Sequence, residues 1–318
     1  MYHEPIFLQP VFQERIWGGK KLQTEYGYDI PFEKTGEAWV ISAHPNGASV
    51  IKNGPLEGRT LADAWNDHGE LFHKQADNQE AYPLLVKILD ADDDLSVQVH
   101  PNDTFAREVE DHPYGKTECW YVLSAEPDSK LVIGHHASNR EELESMMDAG
   151  EWDDLLQYVN VQAGDFFYVP SGMIHAIGKG IVILETQQSS DITYRVYDYD
   201  RTDVAGKKRE LHLDRAKQVT TVPHQKSNVG QQESMVEDLK IKKLVEESYF
   251  TVYHWELNGK VSRKLEADFL QVSVVDGRAE IVVDGKAFAI EKGSNFILPY
   301  GVKTYELSGE AEFVVSHI

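Results

Sequence analysis

The run Ser96–His100 alternates polar and apolar residues, which predicts a β-strand with two different faces. Gln98 and His100 share one face of this strand, and Val97 and Val99 share the other. A strand that buries its valines while it turns a glutamine and a histidine into one space builds a polar site inside an apolar shell. We therefore expect Gln98 and His100 to belong to a functional site.

Two further residues complete a set of metal-binding types. Glu118 begins the next apolar run and can offer a carboxylate, and His175 follows the Gly-strand-Pro-x-Gly turn of residues 164–175. Two imidazoles and a carboxylate suit Zn²⁺ or another first-row divalent ion, and a glutamine carbonyl is a weak fourth ligand that still admits a water or a substrate oxygen. The sequence therefore predicts a metal site formed by Gln98, His100, Glu118 and His175.

Charged residues accompany this set. Lys116 lies two residues before the carboxylate and faces the same way if that segment is extended. Arg195 lies within a predicted strand, where it either pairs with Asp198 or awaits an anion, since an unpaired buried guanidinium is costly. Glu185 is either a general base or the partner of Arg195 or Lys116. Lys87, inside an apolar run, either reaches solvent from an edge or faces the site.

Composition limits the class of partner. The chain has 31 Lys and Arg against 53 Asp and Glu, a formal net charge of −22, which argues against nucleic acids and anionic membranes. It has no apolar run long enough to span a membrane and no signal-peptide pattern. Cys119 is the only cysteine, which excludes an intrachain disulfide and suits the cytoplasm. Other histidines without such a context are expected at surface or loop positions: His44, His68, His73, His112, His135 and His136.

The chain also contains an internal repeat. The runs GDFFYVPSGMIH and GSNFILPYGVKT align without a gap, so Gly, Phe, Pro and Gly recur at 164, 167, 170, 172 and at 293, 296, 299, 301. His175 then falls on Thr304, and Glu118 falls near Phe269. We expect one fold unit to occur twice, with metal-binding chemistry only in the first copy. Residues 223–238 are polar and predict a linker between the copies.

Local signals predict helices between the strands. Thr60 is a candidate N-cap for a helix over residues 61–72, and Asp103 is a candidate N-cap for a short helix that follows Asp103. Ser138 begins a capping box for a third helix, which ends near Gly150. The remaining runs are short strands broken by Gly, Pro and Asn turns. The expected fold class is all-β with helical additions.

Several motifs resemble those of the type I phosphomannose isomerases, in the short bacterial form. They are WGG at 17–19, GEAWVISAHP at 36–45, SVQVHPND at 96–103, GKTE at 115–118, VPSGMIHAIGKG at 169–180 and ETQQSSDITYRVYDYDR at 185–201. The resemblance spans the whole chain in order. It implies a bicupin of two jelly-roll β-sandwiches, a catalytic metal-binding domain with helices at 1–235 and a degenerate cupin without ligands at 236–318.

The resemblance also implies a function. The enzyme would interconvert mannose 6-phosphate and fructose 6-phosphate through a cis-enediol, with one Zn²⁺ per chain held by Gln98, His100, Glu118 and His175. Arg195 and Lys116 would supply positive charge at the substrate, and Glu185 is the leading candidate for the base. The expected partner is a small sugar phosphate, in a cytoplasmic monomer or weak homo-oligomer. The alternatives are a cupin-type glucose-6-phosphate isomerase and a non-catalytic sugar-binding cupin.

Overall fold

Antiparallel strands make up most of the protein, which a computed structural model describes at residues 2–75, 77–202, 206–227 and 229–318. Asn228, inside the predicted linker, lies outside the described residues. The first part of the chain contains β1 (Ile6–Gln9), β2 (Val11–Gly19), β3 (Thr35–His44), β4 (Gly47–Ala48), β5 (Val50–Ile51), β6 (Leu84–Ala91), β7 (Val97–Val99), β8 (Glu118–Ala125), β9 (Lys130–His135), β10 (Leu156–Asn160), β11 (Phe166–Val169), β12 (His175–Ile177), β13 (Ile181–Gln188) and β14 (Tyr194–Tyr197).

The last part of the described chain consists of strands and turns. Its strands are β15 (Gln232–Val236), β16 (Leu239–Glu246), β17 (Thr251–Lys264), β18 (Leu270–Val283), β19 (Lys286–Glu291), β20 (Asn295–Leu298) and β21 (Thr304–His317). β15 crosses residue 235, and β1 pairs with β20, so backbone hydrogen bonds join the first residues of the chain to the last sheet. The domain boundary between 235 and 236 stays a prediction.

Helices occur among the first 219 residues, as the resemblance implies. They are α1 (Lys21–Thr24), α2 (Leu61–Asp67), α3 (Asp103–Glu110), α4 (Arg140–Ala149), α5 (Trp152–Leu155) and α6 (Leu213–Val219), with 3₁₀ turns at Gly54–Leu56 and Gly69–Phe72. None of the helices in the described ranges combines the length and the apolar character that crossing a membrane requires.

Two of the predicted helix starts are displaced by one residue. Thr60 caps α2 as predicted, and its hydroxyl accepts the Asp63 N–H. The N-caps of α3 and α4 are Asn102 and Asn139, whose side chains accept backbone N–H groups one turn on, in place of the predicted Asp103 and Ser138. Adjacent capping types in the sequence compete, and the asparagine takes the extended backbone position in each case.

Two sheets enclose the core of the first copy. A five-stranded sheet has the order β10-β9-β12-β7-β14, and a seven-stranded sheet has the order β11-β8-β13-β6-β2-β3-β4. Between them, Leu131 and Ile177 from the smaller sheet pack with Leu89, Trp120 and Ile183 from the larger one. The valines of β7 face away from this interior, into a second cluster beside α4 and α6, which leaves the opposite face of β7 for polar residues.

The last part of the chain repeats this strand order. In its nine-stranded sheet, β17, β21, β18 and β20 are neighbours, as β6, β13, β8 and β11 are in the first copy. Thr304 begins β21 as His175 begins β12, in agreement with the predicted alignment. Thr304 pairs with Lys264, whereas His175 pairs with Gln98.

The position equivalent to Glu118 lies one residue beyond the predicted one. Glu118 is opposite Val169, and the residue opposite the aligned Leu298 is Leu270 rather than Phe269. The register between strands decides this, and the spacing along the chain does not reveal it. The second copy thus has Lys264, Leu270 and Thr304 where the first has Gln98, Glu118 and His175.

An aromatic cluster joins the two parts of the chain. Phe269 lies against Phe72 and Tyr82, with ring centroids 5.3 and 5.9 Å away, and Trp65 closes the cluster at 6.5 Å. All four side chains are buried. Phe269 therefore packs the last sheet against the segment around α2.

We expect Phe269→Ala to lower the free energy of unfolding by about 3–5 kcal/mol, because the surrounding rings cannot close the cavity. Urea unfolding followed by tryptophan fluorescence measures this loss. Phe32→Ala, at a side chain that is 37% exposed, is the control and should change stability by less than about 0.5 kcal/mol. Equal effects of the two substitutions would contradict the structural role of Phe269.

Candidate active site

Two rows of side chains face each other between the sheets of the first copy. In the smaller sheet, His175 of β12, Gln98 of β7 and Arg195 of β14 lie side by side in register. In the larger sheet the row is Trp39 of β3, Lys87 of β6, Glu185 of β13 and Trp120 of β8. The alternation of each strand turns these residues toward the shared interior.

His100, Glu118 and His175 form the tightest cluster in this space. His175 Nε2 lies 3.1 Å from His100 Nε2 and 3.3 Å from Glu118 Oε1, and Glu118 Oε2 lies 3.5 Å from His100 Nε2. All three residues are at most 1% exposed. Gln98 Nε2 is 3.4 Å from His175 Nε2, so the structure brings all four predicted ligands together.

The backbone fixes which nitrogen of each imidazole carries the proton. His100 Nδ1 donates to the Ile192 carbonyl and His175 Nδ1 to the Met173 carbonyl, both at 2.8 Å. The Nε2 lone pairs of the two rings therefore point at the same small volume, next to a carboxylate. Carbonyl acceptors behind the rings are the arrangement that orients histidine ligands of metal ions.

Burial keeps both imidazoles neutral. It lowers the pKa of His100 well below the usual value, helped by the charge of Lys116, and it lowers the pKa of His175 to about 4. Neutral imidazole is the form that binds metals. A half-turn of the Gln98 amide would add a carbonyl oxygen, so this donor set fits a divalent transition-metal ion.

Lys116 lies where the sequence suggests. Its Nζ is 2.8 Å from Glu118 Oε2 and 3.2 Å from His100 Nε2, so both side chains do face the same way. Burial disfavours the charged form of Lys116, but the carboxylates of Glu118 and Glu185 outweigh burial, and the pKa of Lys116 is raised. Lys116 remains an ammonium at neutral pH.

Glu185 does not form an ion pair with Arg195 or Lys116, the two partners that the sequence suggested, but with another lysine. Its Oε1 lies 3.2 Å from Lys87 Nζ, and its Oε2 accepts the indole N–H of Trp120 at 3.1 Å. The same indole N–H also contacts Glu118 Oε1 at 3.1 Å. The ion-pair partner of Glu185 is therefore Lys87, and Lys87 faces the site instead of reaching solvent.

Glu37 is a site residue that the sequence did not single out. It accepts Arg15 Nε at 2.7 Å and the Trp39 indole N–H at 2.6 Å, and one of its oxygens lies 3.8 Å from Lys87 Nζ. Burial alone would raise the pKa of Glu37, but Lys87 and Arg15 outweigh it and lower the pKa to about 2. The sequence signal that could have identified Glu37 is its position two residues before a tryptophan in an otherwise apolar strand.

Arg195 is available to an anion. Asp198, the partner considered for it, instead pairs with Arg201 and Arg209. None of the ion pairs among the described residues includes Arg195; its Nη1 donates to the Glu210 carbonyl, and its buried Nε has no hydrogen-bond partner. Of the two alternatives for Arg195, pairing with Asp198 or binding an anion, the geometry favours the binding of an anion.

A cavity of about 340 Å³ lies between the two rows. Arg195 and Gln98 line it from the smaller sheet, Trp39, Lys87 and Glu185 line it from the larger sheet, and Lys116 lines it as well. Arg209 and Arg15 also line it, which the sequence analysis did not anticipate. A space of this size, polar and positively charged at several points, suits a small anionic ligand.

Two histidines are not where the sequence placed them. His44 and His135, expected at surface or loop positions, are buried at 3% and 4% exposure, because they end strands β3 and β9. His44, His112 and Asp191 also group within 4.8 Å. However, the Asn46 backbone N–H donates to His44 Nδ1, so the proton of a neutral His44 lies on Nε2, which makes this group less suited to a metal.

Comparison with known proteins agrees with this arrangement. Residues 6–132 match the family model "Phosphomannose isomerase type I, catalytic domain", and residues 240–318 match "Mannose-6-phosphate isomerase, cupin domain". The chain is 48% identical to the mannose-6-phosphate isomerase ManA of Bacillus subtilis over 100% of both chains. The chain belongs to the type I phosphomannose isomerases. This confirms the resemblance and the prediction of an aldose–ketose isomerase enzyme.

Further relatives of this family extend the match. The chain is 49% identical to the mannose-6-phosphate isomerase of Streptococcus mutans, over 99% of this chain and 98% of that one. A crystal structure of the mannose 6-phosphate isomerase from Bacillus subtilis superposes with a TM-score of 0.96 at 44% identity, covering 99% of each chain. The predicted fold class, all-β with helical additions in a bicupin, is thereby confirmed.

The pKa of Glu37 predicts how stability changes with pH. The folded protein keeps Glu37 ionised down to a pKa of about 2, against an ordinary value of 4.5, so its contribution is present above 4.5 and is lost as pH falls toward 2. Between about pH 6 and about pH 3.5, the wild type should lose about 1 kcal/mol more stability than Glu37→Gln. Urea unfolding at both pH values measures the difference.

The exposed Glu57 provides the matched control. Glu57→Gln should follow the wild-type pH dependence. A Glu37→Gln slope equal to that of the wild type would show that Glu37 titrates as it does in the unfolded chain.

Proposed function

We propose that this enzyme interconverts D-mannose 6-phosphate and D-fructose 6-phosphate through a cis-enediol in the cavity between the two rows. The observation that carries the proposal is that Gln98, Lys116, Glu185 and Arg195 line that one cavity. The buried His100–Glu118–His175 cluster lies directly behind them, in contact with Gln98 and Lys116. Isomerisation moves a proton between C1 and C2, which requires a base for carbon and positive charge beside the developing oxygen anion.

Gln98, His100, Glu118 and His175 would hold one Zn²⁺ per chain. Two neutral imidazoles with fixed tautomers and a carboxylate support this assignment, since such donors are typical of zinc sites. When bound, Zn²⁺ would supply Lewis-acid stabilisation of substrate oxygens.

Glu185 is the proposed base. Its carboxylate is buried, lines the cavity and is fixed at both oxygens, by Lys87 and by Trp120. A base fixed in this way can take the proton from one carbon and return it to the next without leaving the shielded interior.

Arg195 and Lys116 would supply the positive charge at the substrate. Arg195, which lines the cavity and has no ion pair among the described residues, would be a donor site for phosphate or for a sugar oxygen, and Arg209 lines the same cavity. Lys116, held beside Glu118, would stabilise charge that develops near the metal ligands. The protein as a whole has a net charge of −22, so binding of a phosphate requires such local cations.

The same proposal divides the chain at residues 235 and 236. The second copy would serve as a structural cupin, because Lys264, Leu270 and Thr304 stand where ligands stand in the first copy. The single thiol, Cys119, is buried and suits a cytoplasmic enzyme.

A coupled assay tests the substrate and the metal. We expect turnover of mannose 6-phosphate, at least about 10²-fold less with glucose 6-phosphate, and loss of activity after chelation that added zinc restores. Equal turnover of glucose 6-phosphate would favour the glucose-6-phosphate isomerase alternative, and binding without turnover would favour a sugar-binding cupin.

Two histidine variants, one at a proposed ligand and one at an exposed control position, test the role of the metal. His175→Gln should lose both activity and the bound metal, measured by elemental analysis, whereas the exposed His136→Gln should keep both. Full turnover by a metal-free His175→Gln protein would refute the role of the metal.

Glu185→Gln tests the base. We expect kcat to fall by at least about 10³-fold with little change in KM, because an amide cannot take the proton. The variant should still contain one zinc per chain, since Glu185 is not a proposed ligand. A rate near that of the wild type would place the base elsewhere.

A further inference from the structure

Lys87 lies between two buried carboxylates. Its Nζ is 3.2 Å from Glu185 Oε1 and 3.8 Å from Glu37 Oε2, and it stands 5.2 Å from the centre of the Trp39 ring. The side chain of Lys87 is only 7% exposed. Such a lysine is held from two sides and has little freedom to turn elsewhere.

The contacts of Lys87 are unequal. Glu37 already has Arg15 and the Trp39 N–H, so it does not depend on Lys87 alone. Glu185 has only the Trp120 N–H besides Lys87 among the hydrogen bonds and ion pairs of the described chain, and that N–H is shared with Glu118. Lys87 therefore fixes Glu185, while Glu37 and Trp39 fix Lys87.

The second copy shows that the fold does not need this ion pair. At the equivalent positions, Tyr253 of β17, Val315 of β21 and Val272 of β18 lie in register. Val272 and Val315 are buried in one apolar core, and Tyr253 packs against it. The same framework is thus stable with an uncharged row. Buried ion pairs are weak sources of stability, so their presence in one copy calls for a functional reason.

We propose that Lys87 is a positioning residue for the isomerisation, holding the Glu185 carboxylate in the orientation that reaches the reacting carbons. This inference rests on the proposed function, in which Glu185 is the base. Trp120 donates a hydrogen bond to one oxygen, and the ammonium group of Lys87 pairs with the other, so two contacts limit the rotation of the carboxylate. Loss of one contact lets the carboxylate rotate away from the substrate.

Steady-state kinetics of Lys87 variants tests the inference. Lys87→Met should lower kcat by about 100-fold with KM within about threefold, because a displaced base loses rate rather than binding. Lys87→Arg, which keeps the charge, should recover kcat to within about tenfold of the wild type. Lys242→Met, in strand β16 of the second copy, is the matched control and should behave as the wild type.

A double-mutant cycle distinguishes positioning from other roles. In a Glu185→Gln background, Lys87→Met should lower kcat by less than about threefold further, because Lys87 acts through Glu185. Zinc content should stay at the wild-type level in each variant. If Lys87→Met does not fold, Lys87→Leu, which likewise has no donor for Glu185, takes its place in the cycle.

Four results would overturn the inference: near-normal kcat in Lys87→Met, a raised KM with unchanged kcat, full additivity in the Glu185→Gln background, or loss of zinc. Failure of the proposed function has a different signature. The wild type would then not convert mannose 6-phosphate, or Glu185→Gln alone would be fully active.

Discussion

Buried carboxylates need partners, and the interior of the first copy is arranged around this constraint. Glu37, Glu118 and Glu185 are all buried in one sandwich. Indole N–H groups from Trp39 and Trp120 reach all three, so each carboxylate has at least one donor that carries no charge. Cations at Arg15, Lys87 and Lys116 balance the three negative charges one for one. The row is therefore close to neutral despite its burial.

The order of these partners separates chemical roles. Glu37, at one end, is saturated by donors and remains ionised over the whole physiological range. Glu118, at the other end, faces two imidazole lone pairs, a surrounding that favours a cation. Glu185 lies between them and lines the cavity. Three carboxylates of the same type thus differ in function because their neighbours differ.

Duplication explains how such a costly interior can be maintained. The second copy repeats the strand order with an apolar core, and its strand β20 hydrogen-bonds with β1 at the start of the chain. Phe269 and its aromatic neighbours connect this core to the segment around α2. Stability can therefore come from the apolar copy and the contact between copies, while the polar interior is left to function.

Patterns along the chain were sufficient to select the four candidate ligands, which the structure brings close together. Strand alternation predicted Gln98 and His100, the Pro-x-Gly turn predicted His175, and a spacing of two predicted that Lys116 and Glu118 face together. These are local signals, and the fold class followed from the repeat and from the family motifs. The local signals predicted which face of its strand each of these side chains occupies.

Pairing across strands was not predictable in the same way. Lys87 and Glu185 are 98 positions apart and meet only because β6 and β13 adopt one register. The position equivalent to Glu118 moved by one residue for the same reason. His44 is buried because it ends β3 inside the sandwich, although its surroundings in sequence resemble a turn. Register is a property of the packed sheets, and a single sequence contains little information about it.

The net negative charge of the molecule makes the cations around the cavity necessary for binding an anion. A protein with a net charge of −22 repels anions over most of its surface, so an anionic sugar phosphate must be attracted by a local field. Asp198 pairs with Arg201 and Arg209, whereas Arg195 lines the cavity and has no ion pair among the described residues. Gln98 stands between Arg195 and His175 in register, so two strand spacings separate Arg195 from the His100–Glu118–His175 cluster. Two spacings, about 10 Å in all, are short enough for one small substrate to reach from one to the other.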